Sequence, residues 1–103
     1  MAPKVLVSDK LSETAVQIFR DRGIEVDFDP SLGKDKSRLL SVIGQYDGLA
    51  IRSATKATEK IINAATNLKV IGRAGIGVDN IDRVAASKKG VIVVPSSYEF
   101  NKS

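Results

Sequence analysis

The sequence predicts an α/β fold, a flavodoxin-like five-stranded parallel sheet with helices on both faces. Three observations carry that prediction. Short β-branched runs alternate with amphipathic stretches, the first four runs are each followed by a helix-forming segment, and glycines stand where those helices must end. Such alternation implies right-handed crossovers and therefore parallel strands, in the order 2-1-3-4-5. Residues 1–94 form one domain, and residues 95–103 form an irregular tail without period or cap.

The first strand is Val5-Leu6-Val7, a compact apolar run suited to burial on both faces. Ser12 caps a helix whose stripe is Leu11, Ala15, Ile18 and Phe19, and Gly23 ends it. Ile24, Val26 and Phe28 then alternate with Glu25, Asp27 and Asp29, which gives a strand with one wet face at the sheet edge. Residues Pro30 to Gly33 make a turn. Leu39, Leu40 and Ile43 mark the inner face of a second helix, which Gly44 closes. Gly48 to Ile51 is the third strand, and Thr58 caps a short helix through Ile61, Ile62 and Ala65. Lys69 to Gly72 is the fourth strand. A helix over Asn80 to Lys89 has Asp82 in its first turn, Lys88 and Lys89 in its last, and Gly90 beyond, a charge order that complements its dipole. Val91 to Val94 is the fifth strand, stopped by Pro95. With no helix after it, part of one sheet face stays uncovered, so the domain is expected to pair with more chain or with a second copy as a homo-oligomer.

Composition narrows the function. Among 103 residues, 43% are apolar, enough for one small core. Cys and His are absent, which excludes disulfides and Cys/His zinc sites and removes the commonest general acid or base near neutral pH. The absence of Cys fits a reducing cytosol, and no apolar run is long enough to span a bilayer, so a cytoplasmic protein without membrane contact is expected. The net charge of +4 is dispersed, with few aromatics and no nucleic-acid motif, so an anionic small molecule is the better partner. The lysines, Lys89 included, read as surface residues.

Ligands of parallel sheets collect beyond the strands' carboxyl ends, and two unusual loops sit there. Arg52-Ser53-Ala54-Thr55-Lys56 offers a guanidinium matched to carboxylate or phosphate, flanked by hydroxyls. Equally, Ser53 and Thr55 serve as helix caps with Arg52 in water. Gly72-Arg73-Ala74-Gly75-Ile76-Gly77-Val78-Asp79-Asn80 offers backbone N–H groups and the Arg73 charge to an anion, or is a tight turn. It is no dinucleotide fingerprint, because Asn80 stands where the third glycine belongs and no acid ends a following strand. A phosphate-binding Gly-Lys-Ser/Thr loop is absent too. A receiver domain fits poorly, because Arg52 occupies the place of the phospho-accepting acid and Asp9 stands alone where paired acids are needed.

The segments Ile51 to Lys56 and Val70 to Asp82, with Lys4 to Asp9 and Ala85 to Val93, resemble the D-3-phosphoglycerate dehydrogenases, a branch of the D-isomer-specific 2-hydroxyacid dehydrogenase family. The resemblance covers about residues 3 to 94. It implies the N-terminal part of a substrate-binding domain, whose parent oxidises 3-phosphoglycerate to 3-phosphohydroxypyruvate with NAD and opens serine biosynthesis. By that likeness Arg52, Ser53, Arg73, Gly75, Ile76 and Gly77 bind substrate, and Ile76 also lies near the nicotinamide of NAD. The family's NAD fingerprint and its Arg and His–Glu catalytic groups belong to a Rossmann domain that these residues do not include, so no catalytic residue is expected here and the chain alone is expected to be inactive. One departure stands out: Pro95-Ser96-Ser97 replaces the family's Asn-Thr-Pro, so the substrate-reaching Asn has no counterpart. The alternative is a non-catalytic anion- or protein-binding module of the same fold.

Overall fold

The computed structural model describes residues 3–10, 13–52, 54–73 and 80–95. Five parallel strands, β1 (Lys4–Val7), β2 (Glu25–Phe28), β3 (Gly48–Ile51), β4 (Val70–Arg73) and β5 (Ile92–Pro95), lie in the order β2-β1-β3-β4-β5. That is the predicted fold and strand order. Among the described residues four α-helices connect them: α1 (Glu13–Asp21), α2 (Lys36–Val42), α3 (Glu59–Ala64) and α4 (Arg83–Lys88).

The register assigns each strand residue to a face. Val26, Val5, Gly48, Val70 and Ile92 form one row, and Phe28, Val7, Ala50, Gly72 and Val94 form another on the same side. On that side α1 packs Val16 against Val7 and Ala50, with Val5, Phe19 and Val26 around them. Leu6, Leu49, Ile51 and Ile71 point the other way, into a larger core closed by Leu39 of α2, Ile61 and Ile62 of α3 and Ala85 and Ala86 of α4. Each fully buried Leu or Ile contributes about 1.5–3 kcal/mol of transfer free energy, so this second layer dominates stability. The α1 side is only half covered. Beyond β3 it leaves Val70 at 37%, Ile92 at 64% and Val94 at 41% exposure, the largest exposed apolar surface of the sheet among the described residues.

Several boundaries differ from the sequence-based expectation. The turn at Pro30 is a 3₁₀ helix, Pro30–Lys34, capped by the Asp29 carboxylate on the Ser31 N–H. Ser31 and Arg38 both donate to that exposed carboxylate, the Ser31 hydroxyl most strongly, and hold its pKa below the ordinary value. Gly44 does not close α2 with a left-handed turn. It sits in a 3₁₀ segment, Ile43–Gln45, packed where a Cβ would lie 3.2 Å from the Ala64 carbonyl. Gly23 and Gly90 do adopt positive φ, 77° and 75°, as helix-ending glycines should. α4 starts three residues later than expected, because Asp82 is its N-cap, accepting the Ala85 N–H at 3.0 Å. Thr58 caps α3 as predicted, through the Ile61 N–H.

Pro95 belongs to β5 rather than stopping it. Ile92 donates its N–H to Lys69, so alternate residues of β5 turn their nitrogens toward β4 and Pro95 turns its own to the free edge, where no donor is needed. Lys89 is not merely a surface lysine. Its ammonium donates to the carbonyls of Ile62 at 3.0 Å, Asn63 at 3.3 Å and Ala65 at 3.2 Å, satisfying the end of α3. The expected cap Ser12 with Leu11, the side chains of Ala15 and Ile18, and the tail from Ser96 to Ser103 lie outside what is described.

Candidate functional site

The carboxyl ends of β1, β3 and β4 converge on one patch. β1 runs into Ser8 and Asp9, β3 into Arg52, and β4 ends on Arg73. Asp9 is 1% exposed, so its two acceptor oxygens must be satisfied by protein. They are: Oδ2 accepts the backbone N–H of Arg52 at 2.6 Å and of Thr55 at 3.0 Å, and Oδ1 accepts the Thr55 hydroxyl at 2.7 Å. With its proton committed to Asp9, the Thr55 oxygen is left as acceptor for the Ser8 hydroxyl, 2.7 Å away and equally buried. Among the described residues no buried side-chain polar atom lacks a partner.

Gly33 packs directly on this cluster. A Cβ there would collide with the Asp9 carboxylate, and would lie 2.7 Å from the Ser8 carbonyl and 2.8 Å from the Thr55 hydroxyl. Its glycine is required by close approach, a role the turn pattern does not reveal. Thr55, placed by the sequence beside Arg52 as a ligand-facing group, instead faces inward and is fully buried.

The two arginines stand at the surface of this frame. The Arg52 side chain is exposed, its Nη1 donating to the Lys10 carbonyl at 3.3 Å. The half-buried Arg73 donates Nε–H to Asn80 Oδ1 at 2.7 Å. The Asn80 amide nitrogen in turn donates to the carbonyls of Arg52 and Thr55, both at 2.6 Å. One amide thus joins the loop after β3 to the end of β4. The main chain supports the same junction: Ala57 N–H donates to the Asn80 carbonyl at 2.9 Å, and Asp82 N–H to the Ala57 carbonyl at 2.9 Å.

Of the expected substrate residues, Arg52 and Arg73 are therefore brought together, while Ser53, Gly75, Ile76 and Gly77 lie outside the described residues. Two residues that organise the site, Asp9 and Asn80, were noted in the sequence but not given this role. Asp9 had a visible signal, an acid directly after a buried apolar strand. Asn80 had none, because its acceptors lie 28 and 25 residues upstream. The two guanidinium groups at this patch present donors of the kind that suit a carboxylate or phosphate. It holds no histidine, and no group of three potential metal ligands occurs among the described residues. A shallow groove of about 700 Å³ beside α4 and β5 is lined by Arg83, Val84, Ser87, Lys88, Val91 and Val93, none of which belongs to this patch.

Comparison with known proteins identifies the family. The family model for the catalytic domain of D-isomer specific 2-hydroxyacid dehydrogenases matches residues 5–99. The chain belongs to this family. Within it, the chain is 50% identical over 92 residues to a D-3-phosphoglycerate dehydrogenase of Methanocaldococcus jannaschii, covering 88% of this chain and 17% of that protein. It is 44% identical over 93 residues to one of Synechocystis, covering 90% and 16%. Among solved structures, an NAD+-bound 3-phosphoglycerate dehydrogenase of Entamoeba histolytica superposes with a TM-score of 0.80 at 32% identity, covering 92% of this chain and 33% of that one. The chain thus spans about a sixth of the length of the curated 2-hydroxyacid dehydrogenases it matches.

Proposed function

We propose that this chain is the N-terminal substrate-binding part of an NAD-dependent D-3-phosphoglycerate dehydrogenase, which converts 3-phosphoglycerate to 3-phosphohydroxypyruvate for serine biosynthesis. The observation that carries the proposal is the pair Arg52 and Arg73, fixed at adjacent strand ends and joined by one amide. Guanidinium groups there match the carboxylate and phosphate of such a substrate, and their fixed fork geometry favours planar anions over a diffuse charge. The similarity to D-3-phosphoglycerate dehydrogenases over about nine-tenths of the chain supports the same substrate.

The residues present do not fit a whole dinucleotide. The one Gly-x-Gly run leads to Asn80, whose side chain is committed to Arg52, Thr55 and Arg73. NAD, when bound, supplies the hydride acceptor, and in this proposal it is held by other parts of a longer protein. The role of these residues is to bind and orient substrate, and the 103 residues alone are expected to show no turnover, since they offer no histidine for proton transfer.

Titration of the chain with 3-phosphoglycerate, followed by amide chemical shifts, tests the proposal. Saturable shifts are expected around Arg52 and Arg73. Arg52→Ala and Arg73→Ala should each weaken binding about 10- to 100-fold, the range for a charged hydrogen bond. Unchanged affinity in both variants refutes the assignment.

A further inference from the structure

We infer that Asn80 is the positioning residue that makes Arg52 and Arg73 act as one anion clamp, an inference that rests on the proposed function of the site. Neither arginine is held there by its own strand alone. The Arg52 loop is fastened from below by Asp9, which fixes the backbone N–H groups of Arg52 and Thr55. From the other side its carbonyls at Arg52 and Thr55 meet both hydrogens of the Asn80 amide, each at 2.6 Å. The remaining polar atom of that amide, Oδ1, takes the Arg73 Nε–H at 2.7 Å. Three of the four hydrogen-bonding valences of one short side chain are thus spent on the two halves of the site. Anchoring at Nε sets the plane of the Arg73 guanidinium, and so the direction of its paired donors.

The residue type is tightly constrained. Aspartate keeps the acceptor for Arg73 but has no N–H for the two carbonyls, and it brings a negative charge to an anion site. Glutamine carries the same amide one methylene farther out. Alanine removes all three bonds yet leaves the backbone junction of Ala57 with Asn80 and Asp82 in place, so Asn80→Ala should fold.

The test uses the 103-residue chain, ¹⁵N-labelled, with 3-phosphoglycerate as the probe. In the ligand-free wild type the Arg73 Nε–H resonance should be sharp and slow to exchange. Asn80→Ala should broaden or lose it, and Asn80→Asp should keep it. Both variants should bind 3-phosphoglycerate at least about tenfold more weakly, the size of one lost charged hydrogen bond. Asn80→Ala should cost clearly less in an Arg73→Ala background than in the wild type, because the part of its effect that runs through Arg73 is already gone and only its hold on the Arg52 loop remains. A purely structural role would lower stability without this non-additivity. If the wild type binds and a folded Asn80→Ala or Asn80→Asp binds equally well, or if the losses simply multiply, the positioning role is overturned while the site assignment stands. If the wild type ignores 3-phosphoglycerate, the proposed function of the site is overturned and this inference falls with it.

Discussion

Asp9 and Asp47 stand at opposite ends of the sheet and make the same kind of bond. Each carboxylate accepts a backbone N–H from a neighbouring strand 43 residues away in sequence, Asp9 from Arg52 at 2.6 Å and Asp47 from Lys4 at 2.9 Å. Their surroundings differ. Asp47 keeps 32% of its side chain in water and pairs at 3.7 Å with Lys69, itself 80% exposed, so solvent can replace either partner. Asp9 is 1% exposed and takes two further donors, both from Thr55. A buried carboxylate held by three donors fixes a loop in one conformation, whereas a wet one only trims a strand end. The rigid end is the one that carries Arg52 and Arg73.

The sharpest way to break this contrast is to remove each acid in turn. Asp9→Ala strands a buried N–H and a hydroxyl of Thr55 and the part-buried N–H of Arg52, and should lower unfolding free energy by at least about 3 kcal/mol in urea melts. Asp47→Ala should stay within about 1 kcal/mol. Equal losses at the two positions would mean that burial does not set the difference.

Gly33→Ala asks whether the rigid end has slack. Its Cβ would press on Asp9, Ser8 and Thr55, none of which can yield without giving up a hydrogen bond. A loss of about 1–3 kcal/mol is expected from thermal or urea unfolding. A neutral result would show that the cluster tolerates rearrangement and is less fixed than its bonds suggest.

The smallest effect belongs to the opposite end. The Tyr46 hydroxyl donates to Asp27 Oδ2 at 2.6 Å, beneath Lys4, whose ammonium lies 5.3 Å from the ring centre. Burial first, then the Asp27 carboxylate, holds the phenol protonated well above its ordinary value of 10.0. The unfolded chain ionises near that value while the folded one does not. The stability this gives is therefore complete below about pH 10 and is lost as pH rises beyond it. Tyr46→Phe should flatten that alkaline decline, with a slope difference no steeper than about 1.4 kcal/mol per pH unit in urea midpoints taken from roughly pH 9 to 11. Identical slopes would refute the assignment.

Legibility from sequence followed locality. Arg52 and Arg73 were readable because each is charged and directly follows a β-branched run, which places it at a strand's carboxyl end. Gly23, Gly90 and Thr58 were readable because the demand on them, a left-handed turn or a cap, is met within a few residues. Gly33 was misread for the same reason, since a glycine required by a distant side chain looks like a turn glycine. Pro95 was misread as a stop because only the sheet edge makes its missing N–H harmless.

The sequence by itself determined the alternation of elements, their order in the sheet, the family and the place of two arginines at strand ends, all of which rest on periodicity, on local motifs and on residues acting next to their neighbours in the chain. Only the tertiary structure decided that Asp9, Thr55 and Ser8 form a buried network, that Gly33 must admit it, and that Asn80 joins the two arginines. Apart from the bond between Arg73 and Asn80, seven residues apart, those roles depend on partners 22 to 47 residues apart, and no local pattern encodes a hydrogen bond whose two ends meet only after the sheet has closed.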